Sequence, residues 1–393
     1  MVGPGFQPRA EEDVMAKKGK GKKSGFAFCV LGGCAKMAVP ALKAFAEEPD
    51  VERVLLADRD AEGAHELARA YGAKFSAAEL DATDGKAVAE LVEGFDAALG
   101  YIGPFYHFEA PIAQACIDAG TPYLSIADDF DAYLAVEKLH EAAKAAGVVV
   151  ITGLGNSPGI TNLLAKKGYL SMDAPERINV HWTGGSDEEV GPANVRHVMH
   201  IFEGETLQWI DGREAYVKTG RGAKTVEFPA PIGVHTVYYT GHAESVSLPR
   251  NLKGLKEVTL HGGIQPNWVA LLARTFGDLG LTTTHKRREI VARLLAPAMN
   301  VFTLGGAADK SVFRIDVYGT HKGRPRHHFY TGVGPIAEIT SFPLVEGALA
   351  VARGEIGKPG VFAAEAAIDP DSFLPRLAKR GVKLMYYEGV GEG

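Results

Sequence analysis

One stretch, FAFCVLGGCAKMAVPALKAF (residues 26–45), constrains the fold more than any other. An apolar run ends in Gly32 and Gly33, and residues at helical spacing follow. Strand, tight glycine turn and helix, in that order, open a dinucleotide-binding unit. The turn aligns with G-x-G-x-x-G as Gly33-x-Ala35-x-x-Ala38. In that pattern the first glycine makes the bend, the second lets the backbone approach the pyrophosphate, and the third packs the helix on the strand. Ala38 adds a methyl that the pattern tolerates. Ala35 is the departure: its Cβ is expected on the phosphate path, and the freedom of glycine at positive φ is lost there. Weakened rather than abolished coenzyme binding is the expectation, with Gly33, Ala35, Lys36 and Met37 lining the phosphates.

The next apolar run, VERVLLADRD, ends in Asp58. A carboxylate there accepts hydrogen bonds from the adenosine ribose, and it repels a 2′-phosphate. That favours NAD over NADP slightly. Arg59 can pair with such a phosphate, so both coenzymes stay open.

Strand-like and helical runs then alternate through GLG at residues 153–155. This pattern predicts a Rossmann-type, doubly wound parallel sheet over residues 24–155. From residue 156 to 335 the texture changes. RINVHWTGG, HTVYYTGHAESVSL and KEVTLHGG read as strands, and SVFRIDVYGTHKGRPRHHFYT reads as a hairpin around Lys322-Gly323. The second domain is therefore expected to be α+β with a mostly antiparallel sheet. Residues 1–23 form a basic tail, MAKKGKGKKSG, read as disordered and solubilising.

The composition suits a soluble protein in a reducing, cytoplasmic setting. Three cysteines make neither a metal spacing nor a paired framework, and the net charge of −6 gives no reason for a nucleic-acid partner. No apolar run approaches the ~20 residues that span a bilayer. No phosphate-binding P-loop and no nucleophile elbow occur. HVMH places His197 and His200 three apart, but with no carboxylate motif around them no metal site is assigned.

The segments YIGPFYHFEAPIAQACIDAGTPYLSIADD, GVVVITGLGNSPGITNLLA and TSFPLVEGALAVARGEIGKPGVFAAEAAIDPDSFLPRLAKRGV give the chain a wider likeness. It resembles the saccharopine dehydrogenase-like family of saccharopine reductases, lysine 6-dehydrogenases and carboxynorspermidine synthases. The resemblance covers nearly everything after residue 24. It implies an NAD(P)-linked oxidoreductase acting on a C–N bond of an amino acid or carboxylated amine, and commonly a homodimer. It also implies that residues 336–393 return to the Rossmann domain. It places Gly103, Pro104 and Phe105 beside the nicotinamide, and Asn156, Pro158, Gly159 and Asn162 at the domain junction as substrate-side residues. Ser125 stands where the family often has Asp, which leaves the catalytic assignment open. The alternative reading is a catalytically silent fold kept for interaction or cofactor sensing.

Ligands of such sheets sit beyond the carboxyl ends of the strands, where residues 103–107, 125–129 and 153–158 converge. Phe105 or Tyr106 can pack on the nicotinamide or merely cover the sheet end. His107 is the first candidate for proton transfer, and a solvated loop histidine is the competing reading. Asp128 is the second, either as base or as partner of an ammonium group; helix capping competes with it. Read as an alternating strand, TGHAES points His242 and Glu244 to one face, which is either the cleft or a polar surface stripe. Arg250 is a candidate carboxylate clamp or a surface arginine.

Overall fold

The computed structural model describes residues 25–185, 199–265, 268–282, 284, 286–287, 289–294 and 310–390. The basic tail, His197 and part of RREIVARLLAPAMNVF lie outside the described residues.

The first sheet takes β1 (Phe26–Leu31), β2 (Val51–Asp58), β3 (Phe75–Glu79), β4 (Ala97–Gly100), β5 (Tyr123–Ser125) and β6 (Val149–Ile151). Its seventh strand, β15 (Gly360–Phe362), arrives late in the chain. The order is β15-β6-β5-β4-β1-β2-β3, and every pairing is parallel. The connections are α1 (Val39–Glu47), α2 (Ala61–Tyr71), α3 (Gly85–Val92), α4 (Phe105–Asp118), α5 (Phe130–Glu137) and α6 (His140–Ala146). Local chemistry sets their ends. Asp60 caps α2 by accepting from the Gly63 amide, and Gly72, at φ 100°, stops it. Asp84 caps α3 through the Lys86 and Ala87 amides.

After α7 (Ile160–Leu170) the chain builds the second sheet from β7 (Ala174–Gly185), β8 (Glu205–Ile210), β9 (Arg213–Lys218), β10 (Lys224–Glu227), β11 (Val234–Tyr239), β12 (Glu257–Ile264), β13 (Lys310–His321), β14 (Arg324–Gly334) and β16 (Lys383–Val390). The main path runs β10-β11-β12-β7-β13-β14-β16, with β8 joining β12 to β9. Only β12 and β7 pair in parallel. The β13–β14 turn is the expected one: Lys322 and Gly323 both have positive φ, at 51° and 72°, as a tight two-residue hairpin requires. Alternate residues Ile178, Val180, Leu260, Phe313 and Ile315 join Phe28, Leu56 and Leu99 of the first sheet in one continuous buried cluster.

The remaining helices are α8 (Glu244–Asn251), α9 (Trp268–Asp278), α10 (Ile336–Ala352), α11 (Ala364–Ala367) and α12 (Pro370–Lys379). The C-terminal segment divides. α10 lies on α1 and β4, and β15 extends the first sheet. β16 instead pairs with β14 of the second sheet, because Tyr386 and Tyr387 stack on Tyr330 and Phe329 across the strands.

Candidate active site

The glycine turn is built for close approach. Gly32 has φ +85°, and a Cβ on Gly33 would lie 2.9 Å from the Leu56 Cβ, so the turn sits flush on β2. Ala35 has φ −65° and ψ 136°, ordinary extended backbone. The expected loss of conformational freedom at this position is therefore absent, and only the methyl group departs from the pattern. A 3-10 turn, Lys36–Ala38, feeds α1, and Ala38 is fully buried against the sheet. Asp58 ties the turn to the end of β2: its Oδ2 accepts from the Cys34 amide at 2.9 Å and its Oδ1 from the Asp60 amide at 3.0 Å. Each oxygen keeps acceptor capacity for a ribose hydroxyl. Arg59 beside it is exposed. Burial, with the charges of Asp58 and Asp60, pushes the Cys34 thiol up to about 11, so it stays protonated. A flush glycine turn, a helix entry and a carboxylate at the end of β2 fit a nicotinamide dinucleotide.

At the other end of the cleft, Gly103 and Pro104 lead into α4, with Phe105 as its first residue. Space is open beyond the Gly103 Cα. The Tyr106 amide donates to Asp129 Oδ2 at 3.1 Å, and the Tyr106 ring lies 4.2 Å from the His200 ring. His200 Nε2 sits 3.4 Å from Asp131 Oδ2 and 3.8 Å from Asp129 Oδ1. These contacts tie the start of α5 to the chain just before β8. Burial pushes the Asp131 carboxyl up, but the His200 hydrogen bond and charge outweigh it and the net shift is down. One side-chain atom from each of Asp129, Asp131 and His200 lies within 4.8 Å of the other two, a proximity the spacing of HVMH does not reveal. His107 is exposed on α4 with its ring edge-on to Phe108, outside the buried set that follows.

Asp128, His242 and Glu244 come together. The Ala243 amide donates to the Asp128 carbonyl at 3.1 Å, and His242 bridges to Asp129. His242 Nε2 lies 4.0 Å from Asp128 Oδ2, and its ring stacks on Trp182 at 4.8 Å. The route differs from the alternating strand expected for TGHAES. β11 ends at Tyr239, and Glu244 is the first residue of α8. A Cβ on Gly241 would lie 3.2 Å from the Phe130 ring, so the chain here runs close against α5. His242 and Glu244 are both buried, so neither belongs to a polar surface stripe.

Glu244 Oε1 accepts from the hydroxyls of Ser157 and Thr161. Its Oε2 is buried and has no hydrogen-bond partner among the described residues. Burial pushes its pKa up, the two hydroxyls pull it back, and the nearby Asp128 charge raises it again, leaving it at about 7.

The PGITN segment is tied closely into its surroundings. Gly159 has φ +125°, and a Cβ there would lie 2.1 Å from the Gly155 carbonyl oxygen. Pro158 fills the space over Gly153 that a side chain would take. Asn162 accepts from the Gly159 amide and donates to Ser247 and Glu365. Asn156 donates to Ser311 of β13 at 2.8 Å, while its Oδ1 has no hydrogen-bond partner among the described residues. Arg250 is occupied by Glu137 and Glu214.

The sequence reading missed Glu109. It lies on α4, and only 1% of it is exposed. It accepts from Tyr123 (2.8 Å), Thr152 (2.8 Å) and Ser125. The helical stripe Glu109, Ile112, Ala113, Cys116 is the signal for it: a lone acid on an otherwise apolar, buried face. Ser125, the departure noted above, is thus one of three hydroxyls around a carboxylate that another element supplies.

Residues 28–151 match the saccharopine dehydrogenase NADP-binding domain and residues 155–382 the saccharopine dehydrogenase C-terminal domain. The chain is 23% identical over 389 residues to a carboxyaminopropylagmatine dehydrogenase of Synechocystis, covering 90% of this chain and 95% of that protein. Among solved structures it resembles the L-Glu-forming saccharopine dehydrogenase of Saccharomyces cerevisiae, with a TM-score of 0.70 at 17% identity over 93% of this chain and all of that one. The homospermidine synthase of Legionella pneumophila, solved with NAD, has a TM-score of 0.63 at 13% identity over 94% and 92% of the two chains. With both of its domains matched along most of their length, the chain belongs to the saccharopine dehydrogenase family of NAD(P)-dependent oxidoreductases.

Proposed function

We propose that the protein moves hydride at the C–N bond of a secondary amine carrying an amino-acid carboxylate, in the cleft between residues 24–155 and 156–335. The observation that carries this reading is Glu244: a wholly buried carboxyl poised at about 7, with one oxygen unpartnered among the described residues, close enough for the Asp128 charge to act on it. An amine must lose its proton before its carbon gives up hydride, and a group with a pKa near neutrality suits that exchange. Asp128 and His242 hold the ammonium form, and Glu244 takes the proton at Oε2. Phe105 and Tyr106 close the nicotinamide end, while Asp58 and the 33–38 turn hold the ribose and phosphates. Bound coenzyme supplies the hydride acceptor or donor. NAD is favoured because the Asp58 carboxylate repels a 2′-phosphate.

The relatives support the substrate class: carboxyaminopropylagmatine, saccharopine and homospermidine all contain a secondary amine, and the first two also carry an amino-acid carboxylate. We further propose a cytoplasmic homodimer with no nucleic-acid partner. Three unpaired cysteines and a net charge of −6 are in keeping with that, and among the described residues no helix is long and apolar enough to cross a membrane. The test is coenzyme absorbance with saccharopine, lysine, carboxynorspermidine and carboxyaminopropylagmatine under both coenzymes. Turnover of a secondary amine is expected. Absence of both turnover and coenzyme binding overturns the reading.

A further inference from the structure

Glu109 takes no part in the chemistry above, yet it is the most costly kind of group to bury. A carboxylate out of water needs a partner, and the usual partner is a cation. Here the partners are three hydroxyls, from Tyr123 and Ser125 on β5 and Thr152 just past β6. Among the described residues Glu109 makes no ion pair. Burial pushes its pKa up, the hydroxyls of Ser125, Thr152 and Tyr123 pull it back, and the Asp128 charge raises it; the net shift is upward, so the hydroxyl cage opposes the cost of ionisation without cancelling it. The other acid acting on it, Asp128, is partly exposed and faces His242 at 4.0 Å. Three hydroxyl donors and, among the described residues, no cation surround the Glu109 carboxyl, so the charge of its ionised form meets no positive partner.

Its place gives that charge a use. Ser125 is the last residue of β5 and Thr152 follows β6, so the cage lies at the carboxyl ends of the strands, where the cleft opens. Glu109 is one turn into α4, the helix that starts at the Pro104–Phe105 edge. The oxidised nicotinamide ring is a cation, and the reduced ring is neutral. A fixed anion in a low-dielectric floor attracts the first and not the second.

We propose that Glu109 sets the balance between the two redox states of the coenzyme, holding the oxidised form more tightly and so biasing the enzyme towards reducing an imine to a secondary amine. This rests on the oxidoreductase reading, and Glu109 touches neither substrate nor coenzyme in it. The side chain works through its charge.

Dissociation constants of the oxidised and reduced coenzyme, measured by calorimetry on wild type and Glu109→Gln, test the idea. The substitution should raise the constant for the oxidised form about tenfold relative to that for the reduced form. Thr152→Val, which removes one of the three hydroxyls that favour the ionised carboxylate, should move the ratio in the same direction by a smaller factor. If Glu109→Gln does not fold, Glu109→Ala/Ser125→Asp is compared with Glu109→Ala/Ser125→Asn, a carboxylate against an amide in the same cage, with the same tenfold difference expected. A ratio that does not move overturns this proposal and leaves the oxidoreductase reading intact. Failure of wild type to bind either form overturns both.

Discussion

The Thr161 hydroxyl donates to Glu244 Oε1 at 2.8 Å, joining the start of α7 to the start of α8. This bond, with that of Ser157, leaves the second oxygen of Glu244 for chemistry. Glu244→Gln keeps the shape and removes the exchangeable proton. Turnover should fall by about 10²–10⁴-fold, and the pH–rate limb near 7 should disappear. An unchanged pH profile in steady-state kinetics would assign the proton transfer elsewhere.

The same residue makes stability depend on pH in an unusual direction. The folded pKa, about 7, lies above the ordinary 4.5, so the native state binds the proton more tightly than the unfolded chain. Its contribution is fully present below pH ~4.5 and is lost as pH rises towards 7. Urea unfolding between those values should show wild type losing up to about 3 kcal/mol relative to Glu244→Gln. Parallel curves for the two proteins would contradict this.

Asp58 has two tasks, and its removal should show both. Asp58→Ala strips the acceptor from the Cys34 and Asp60 amides and, in the proposed reading, from the ribose. Loss of two charge-assisted bonds in the complex predicts coenzyme affinity down at least about thirtyfold, with the preference for NAD over NADP diminished. Fluorescence titration of NADH and NADPH measures both effects.

At Ala35 the backbone needs no glycine, so Ala35→Gly should separate two effects. Removing the methyl from the phosphate path should tighten coenzyme by about threefold. The added freedom of the unfolded chain should lower stability by about 0.5–1 kcal/mol. Thermal shift with and without coenzyme reads one against the other.

Gly159→Ala should be among the most damaging single changes outside the cleft. The new Cβ would lie 2.1 Å from backbone oxygen, at a φ that side chains avoid. A loss of more than about 3 kcal/mol is expected from denaturant unfolding, with failure to accumulate as soluble protein as its extreme form.

Much of the first sheet is legible in the chain because each parallel strand is an apolar run bracketed by a helix with its own stop and start residues. Asp60, Gly72 and Asp84 mark helix ends that the structure keeps. The site is less legible, for two physical reasons. His242 and Glu244 reach it because the strand ends at Tyr239 and the chain enters α8 at Glu244, and strand periodicity carries no information past that change. Glu109 is hidden because its meaning depends on hydroxyls 14 to 43 residues away, brought to it only by the sheet. His107 illustrates the opposite case. It follows Gly103–Phe105 directly in sequence, and two residues into α4 its side chain is already exposed.

The seventh strand of the N-terminal sheet and the helix before it are made last. Ser341 of α10 donates to the Met37 carbonyl in the coenzyme turn and lies 3.0 Å from the Tyr101 hydroxyl, while β15 closes the edge beside β6. During synthesis the nascent N-terminal half therefore waits, with an open edge and an unbuttressed phosphate turn, until more than 340 residues have left the ribosome. The two halves cannot mature as separate modules, and a chain cut before α10 would be an aggregation hazard rather than a minimal coenzyme-binding unit.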